Sequence, residues 1–421
     1  MALRELDRAG LNVLCLEARD YIGGRILTLH DPLSPIPLEL GAEFIHGRPP
    51  ELWNFIRDAN LGVYDCGDRA VHIKDGKVQS DTDAWVPVDR VMSDMQEAAE
   101  RLPDQPFSVF LENSSHSEEA KRLSANFVEG FNAARKEIVG IHSLAQDTKA
   151  SDEIDGDRSF RFIGGYDSLA HALINGVSDP ASKLRLNSVV QTISWSSGSV
   201  TVRVRSSITG RKDTVHCRRV LITVPLGVLQ AEPDESGAIR FDPEPKEVLA
   251  AARRLEFGQV FRVVLRFQEP FWEKNPDLAD AGFLFSDEPL FPTWWTPLPR
   301  RVPILTGWSA GPHADALQGR SRQEVVRAAT ASLAKIVGIG NDALNRLLVS
   351  AHFHDWHADP FARGAYSYVP ACALPAREIL ARPVENTLYF AGEAIDLHGH
   401  SATVHGAIAS ALEAASLIGN A

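Results

Sequence analysis

Apolar and polar positions along this chain switch repeatedly between the period of a strand and that of a helix. Residues 11–18, LNVLCLEA, are nearly all apolar up to Glu17 and predict a buried strand. The stretch before it, ALRELDRAG, sets Leu3 and Leu6 among helix formers and ends at Gly10, so a helix is predicted to feed that strand. VTVRVR at 200–205 alternates cleanly as a half-buried strand. LRLNSVVQTISW (184–195) predicts a strand pair, and CRRVLITVPLGVL (217–229) a buried strand stopped by Pro225. Helical spacing marks MSDMQEAAERL (92–102), EEAKRLSANFVEGFNAARKEIVG (118–140) and RQEVVRAATASLAKIVG (322–338). LEFGQVFRVVLRF (255–267) and GFLFSD (282–287) predict strands, and FIGGYDSLAHAL (162–173) a glycine turn into a helix. Near the end, the strand LYFAG (388–392) precedes a small-residue helix, SATVHGAIASALEAA, capped near Ser401 or Thr403. Loops are predicted at 31–37, 146–157 and 231–238.

At 421 residues the chain exceeds one compact core, so two domains are expected. A net charge of −12 disfavours nucleic acid as a direct partner and mildly favours a cationic substrate through steering. The cysteines, Cys15, Cys66, Cys217 and Cys372, have neither metal nor redox spacing and imply no disulfide framework. No apolar run reaches membrane-spanning length. A cytoplasmic location is the expectation, with an upstream signal left open.

The opening block has the order of a dinucleotide-binding fold entered late. In such folds a first strand and glycine-rich turn lead into a helix, and an acid at the end of the second strand holds the ribose hydroxyls. Glu17 is placed to be that acid, while the first strand and its glycine loop are expected upstream of Met1. The sequence therefore reads as truncated at its N-terminus. After Glu17, Arg19, Gly23, Gly24 and Arg25 supply compliant backbone and fixed cations suited to a pyrophosphate. At the far end, Gly392 allows close backbone approach with Glu393 beside it, and the N-terminus of the following helix offers partial positive charge to an electron-rich group.

LEARDYIGGRI, the GGYDSL turn, TVPLGVL, RGAYSY and ATVHGA together resemble the flavin-containing amine oxidase superfamily, which includes monoamine oxidases, polyamine oxidases and histone lysine demethylases. The resemblance implies an α/β architecture: an FAD-binding, doubly wound, glutathione-reductase-like domain plus a discontinuous α+β substrate domain. The first would comprise residues 1–68, 158–235 and 350–421, and the second 69–157 and 236–349. It also implies non-covalent FAD, since Ala365 stands where monoamine oxidases carry the flavin-bonding cysteine. A small-molecule amine and molecular oxygen are the implied partners.

By the same resemblance, Glu17, Arg19, Gly24, Arg25, Gly41, Ala42, Glu43, Val190, Gly392, Glu393, Thr403 and Val404 would contact the cofactor. Tyr366 would face the flavin. Thr403 occupies the position of a second aromatic, so a two-tyrosine cage is not expected. His46, in GAEFIHG, is similar to the tunnel histidine of animal polyamine oxidases, or else satisfies loop hydrogen bonds. Trp356 is placed beside the flavin, or in plain core. Arg262 stands where relatives carry a lysine that holds a water near flavin N5. Arginine does not titrate, so it would bind a water or a substrate carboxylate instead, and a dehydrogenase using another acceptor comes into view.

Other groupings carry less. His352, His354 and His357, with His398, His400 and His405, offer no clean ligand set, and no metal is expected. Trp294, Trp295, Phe283, Phe285 and Phe291 read as aromatic core or channel lining. The functional alternatives are an FAD-dependent amine oxidase on a polyamine or monoamine, a non-catalytic remnant unable to hold FAD, or a flavin dehydrogenase or desaturase on the same fold.

Overall fold

The computed structural model describes residues 1–67, 69–74, 77–79 and 85–420. Asp68, where the first expected segment was to end, lies outside them.

The opening helix, Ala2–Arg8, ends as its sequence predicts. Gly10 takes φ +77°, its N–H reaches Asp7 O, and the Leu11 N–H reaches Leu6 O, the paired bonds of a Schellman stop. Only Cys15–Leu16 of the run that follows is hydrogen-bonded as a strand, in parallel with Leu184–Arg185. The LYFAG segment gives the strand Leu388–Phe390, parallel to Val220–Ile222, which stops before Pro225. These two parallel pairs are separate sheets among the described residues. The C-terminal helix Val404–Asn420 packs Ala415 and Ile418 against Leu6 and Tyr389.

Beside them lies a four-stranded sheet ordered Lys212–Cys217, Ser199–Ser206, Ser188–Ser196, Arg240–Asp242. Arg240–Asp242 thus pairs in parallel with Ser188–Ser196, across the boundary expected between residues 235 and 236.

A seven-stranded sheet forms the other side. Its order is Leu348–His352, Val260–Phe267, Ile304–Ala310, Thr293–Trp295, Phe283–Ser286, Ala70–Lys74, Lys77–Gln79. Strand alternation sorts its residues. Phe261, Val263, Leu265 and Phe267 face a core shared with the helix Arg322–Ile336, whose Ser321–Glu324 capping box fixes its start. Arg262 projects to the other face. Likewise Trp294 and Leu284 enter the core, whereas Trp295, Phe283 and Phe285 line a cavity. The aromatic cluster is therefore both core and lining, divided by the pleat.

The helical block differs from the sequence pattern at two places. The helix predicted over 118–140 stops at Phe131, because Ala133 turns left-handed with φ +48° to let Gly258 pass; a Cβ at Gly258 would lie 2.5 Å from Ala133 O. The loop predicted over 146–157 is helical up to Asp152, within Ile141–Asp152. Polar residues that read as loop find partners across the fold, as Gln146 Nε2 does by donating to Leu397 O at 2.9 Å. No described helix is long and apolar enough to cross a membrane.

Candidate functional site

A cavity of about 2900 Å³ is lined by every residue expected to contact the cofactor and by Tyr366, Arg262, His46 and Trp356. It runs from Glu17, between the two parallel strand pairs past Val13 and Leu221, along Gly24, Arg25 and Gly392, to an aromatic end at Tyr366 and His46.

At the first end, Glu17 closes its strand and accepts the Arg19 N–H at 2.9 Å; burial pushes its carboxyl up. Val190 sits in Ser188–Ser196 on the same wall. Arg19 is an internal strut, its Nη1 2.5 Å from Asp359, whose carboxyl is held down at about 2, against burial, by His354 and Arg19. Arg25 is also committed, donating to Glu393 at 2.8 Å and to Ala365 O at 2.7 Å. Burial opposes ionisation of Glu393, but Arg25 and the Ser367 hydroxyl, 2.6 Å away, hold its carboxyl below the usual value. Its Oε2 also accepts the Ala402 N–H at 3.0 Å. This knot joins the arginine loop, the Tyr366 strand and the entry to the last helix.

Thr403 caps that helix. Its hydroxyl accepts the Gly406 N–H at 2.9 Å and donates to His400 O at 2.6 Å, with Val404 as the first helical residue. At Gly392, φ is +144° and an added Cβ would meet nothing within 4 Å, so the backbone borders open cavity. Gly41 is the opposite case, since a Cβ there would lie 2.0 Å from Arg25 O; Ala42 N–H donates to that same oxygen at 3.1 Å. Trp356 lies under this loop, its Nε1 donating to Leu40 O at 2.9 Å.

Glu43 is the centre of a buried charge group. One oxygen takes Arg161 Nε at 2.5 Å, and the other takes Arg262 Nη2 and, at 2.9 Å, Trp295 Nε1. Burial alone would raise the carboxyl, but the two guanidiniums hold it below its ordinary value. Arg262 also donates to Gly41 O at 2.6 Å, and its Nε is buried without a partner. Both of its terminal nitrogens are thus engaged by protein, which leaves little of the fork for the water or substrate carboxylate expected from sequence. Glu39, near Arg262, is lifted by burial to about 7.

The aromatic end is built from neutral groups. Tyr366 donates to Phe131 O at 2.8 Å, and burial raises its hydroxyl. The Phe131 ring stacks on Phe127 at 5.5 Å and meets His46 edge-on at 5.9 Å. Burial lowers His46 to about 4 and, helped by His400 and His46, lowers His405 to about 3. His400 and His405 pack edge to face at 4.9 Å. Among the described residues no cluster is arranged to hold a metal, and all four cysteines are unpaired.

Sequence reasoning missed Arg161, Asp359, Phe131 and Asp147. Arg161 had a signal, a lone cation between Phe160 and Phe162 in a buried strand. The others depend on contacts across the fold.

Residues 1–419 match the family model described as flavin containing amine oxidoreductase. "Lysine-specific histone demethylase 1 homolog 3" of Arabidopsis thaliana is 27% identical over 97% of this chain and 28% of its own length. "Polyamine oxidase 4" of Oryza sativa subsp. japonica is 28% identical over 98% of this chain and 85% of its own. The chain spans 28%, 25% and 55% of three histone demethylase relatives, and so only part of those proteins. Among solved structures, "Cyclohexylamine Oxidase from Brevibacterium oxydans IH-35A" superposes with a TM-score of 0.81 at 20% identity, over 100% of this chain and 96% of that one. Putrescine oxidase bound to putrescine gives 0.80 at 21% identity, over 99% and 95%.

Proposed function

The chain belongs to the flavin containing amine oxidoreductases, and from that premise we propose that it oxidises a small primary or secondary amine with non-covalently held FAD. The cavity fits such a group. It is several times larger than an ordinary small-molecule pocket of about 300–1000 Å³ and bordered by open space at Gly392. Glu17 would take the ribose hydroxyls, Val190 the adenine side, and the Arg25–Glu393 knot the region between. Gly41, Ala42 and Trp356 would flank the ring, and the start of Val404–Asn420 would face its electron-rich edge. Ala365 offers no side-chain nucleophile for a covalent bond.

The observation that carries the reading is the aromatic end with un-ionised histidines. Hydride leaves an amine's α-carbon only when the nitrogen lone pair is free, so the site must hold the amine neutral. Tyr366, Phe131 and His46 form an aromatic wall of the cavity, and His46 and His405, lowered to about 4 and 3, add no positive charge. Bound there, FAD would supply a hydride acceptor and a route for the electron pair to oxygen, with peroxide as the product. The amine loses that hydride and one proton, and the resulting imine is hydrolysed by water to a carbonyl compound plus ammonia from a primary amine or the released amine from a secondary one.

A second acceptor has one observation in its favour. Glu43 and Gly41 O tie down both ends of the Arg262 fork, so the group at the lysine position of relatives neither titrates nor swings. Slow reaction with oxygen and faster reaction with an artificial acceptor are expected.

The test is anaerobic mixing of the purified, FAD-loaded protein with a panel of primary and secondary amines, followed through the flavin absorbance, then admission of air with peroxide readout. Bleaching by at least one amine supports the proposal. Full loading with no bleaching by any of them would sink it.

A further inference from the structure

The carboxylates around the cavity mostly meet a cation. Glu43 holds two arginines, Glu393 holds one, and Asp147 has Arg377 Nη1 at 4.0 Å. Glu39 differs. It lies on the short strand Leu38–Glu39, opposite Thr28, and its bonds come from neutral donors. Its Oε2 accepts the Thr28 hydroxyl at 2.7 Å and its Oε1 accepts the Tyr166 N–H at 2.7 Å. The neutral acid has a place for its proton too, because Thr28 Oγ1 can turn from donor to acceptor.

A second cavity of about 30 Å³, room for one water, is lined by Glu39, Glu43, Arg161 and Arg262. Glu43 and Arg262 also line the main cavity, so they form the partition between the two. Arg161 and Arg262 outnumber Glu43 there. With Glu39 neutral the buried group carries one excess positive charge, and with Glu39 ionised it carries none. The other groups around it keep their state near neutral pH. Against burial, Arg161 and Arg262 hold the Glu43 carboxyl low, and burial pushes the Tyr64 and Tyr166 hydroxyls up. Arg300, on the small cavity, stays charged like the other arginines. His30, paired with Asp167 at 2.8 Å beyond Thr28, is 56% exposed and lines neither cavity. Burial, reinforced by Glu43 and opposed by Thr28, Tyr166 and Arg262, lifts the Glu39 carboxyl to about 7.

We propose that Glu39 is a positioning residue acting through Arg262, its proton deciding whether the partition presents a net positive charge or none to the main cavity beside Gly41. The inference rests on the FAD-holding reading above. A positive partition favours the electron-rich reduced ring over the oxidised one, so reduction and proton uptake at Glu39 assist each other. Arg262 itself takes up no proton at working pH. Glu39 supplies, one layer behind, the titration that arginine lacks.

Two readouts separate this role from a purely structural one. The first is the flavin midpoint potential of the FAD-loaded protein between pH 5.5 and pH 9, compared with Glu39→Gln, whose amide can serve both Thr28 and Tyr166. The two potentials are expected to coincide at pH 5.5 and to part above pH 7. At pH 9 wild type should lie about 30 mV lower, equivalent to a roughly tenfold preference of the reduced state for protonated Glu39. Thr28→Val removes a bond that favours the ionised form, so it keeps this step and moves it to higher pH, and it covers the case in which Glu39→Gln fails to fold. The second readout is urea unfolding of the flavin-free protein. A carboxyl raised from 4.5 to about 7 gives stability that is present below pH 4.5 and lost as pH rises through 7. The unfolding constant of wild type relative to Glu39→Gln should therefore rise roughly 200-fold between pH 4 and pH 9. Potentials that differ by the same amount at every pH, identical potential curves for wild type and Thr28→Val, or a relative stability flat in pH overturns the inference while the FAD-holding reading stands. Protein that carries no flavin after reconstitution overturns both.

Discussion

Replacing Glu43 by Gln keeps the shape of the side chain and removes one charge from between Arg161 and Arg262, whose side chains are 6% and 4% exposed. Two buried guanidiniums are then left facing each other. The amide keeps one accepting oxygen of the two, so one guanidinium loses its bond at position 43 and meets an NH2 instead, while Arg161 retains Thr296 O at 3.2 Å and Leu298 O at 3.4 Å and Arg262 retains Gly41 O. Breaking a buried pair by removing one partner costs about 3–5 kcal/mol. With an unfolding entropy of roughly 2.1 cal/mol/K per residue over 421 residues, Tm falls by about 3–6 °C.

Arg262→Met is the contrast. It leaves Glu43 paired with Arg161 and Trp295, so its cost is that of lost hydrogen bonds, about 1–2 kcal/mol. The pH dependence follows from the lowered Glu43 carboxyl. Its contribution is fully present above the ordinary carboxyl value of 4.5 and is lost as pH falls through the lower folded value. The gap between wild type and Glu43→Gln therefore narrows in acid. Urea titration of the three proteins at pH 7 and pH 4 measures this. Glu43→Gln within about 1 kcal/mol of wild type, or Arg262→Met as damaging as Glu43→Gln, would refute the reasoning.

His46, near 4 in the folded chain against an ordinary 6.5, gives stability that is complete above pH 6.5 and lost as pH falls to about 4; His46→Gln should flatten that limb by about 3 kcal/mol in urea titrations, and parallel profiles would count against it. Thr403→Ala should cost about 1 kcal/mol through the lost cap and Thr403→Ser should restore it, whereas a ligand-contact role alone would leave apo-protein stability unchanged. Gly41→Ala places a Cβ 2.0 Å from Arg25 O, so the loop must part; about 1–3 kcal/mol of stability and most of the flavin carried through purification should be lost, as melting curves and absorbance would show.

What could be read from sequence was whatever a local pattern encodes. Gly10 stopped its helix, Pro225 its strand, and the pleat through Phe283–Ser286 sorted Phe283 and Phe285 from Leu284. The family motifs gathered distant residues into one cavity, from Glu17 to Tyr366. Side-chain commitments were not legible. Arg19, Arg25 and Arg262 read as free cations, and each is held by a carboxylate 219 to 368 residues away. Thr403 is the exception, since the cap expected near Ser401 or Thr403 is made by its hydroxyl. Asp147 was hidden for a different reason: QDTKASDEIDGD has loop composition, and its helix persists because Gln146 and Asp147 find partners in the turn at 397–401.

The Arg25–Glu393 knot also bears on how the protein is made. Residues 25 and 393 lie near opposite ends of the chain, and the Ala402 N–H completes the same carboxylate shell. A ribosome must therefore extrude nearly the whole polypeptide before this shell can form. At about 5–20 residues per second, that leaves the arginine loop waiting for tens of seconds with its apolar neighbours uncovered. The knot is thus a late closure, made only once Glu393 and the Ala402 N–H have followed Arg25 out of the ribosome.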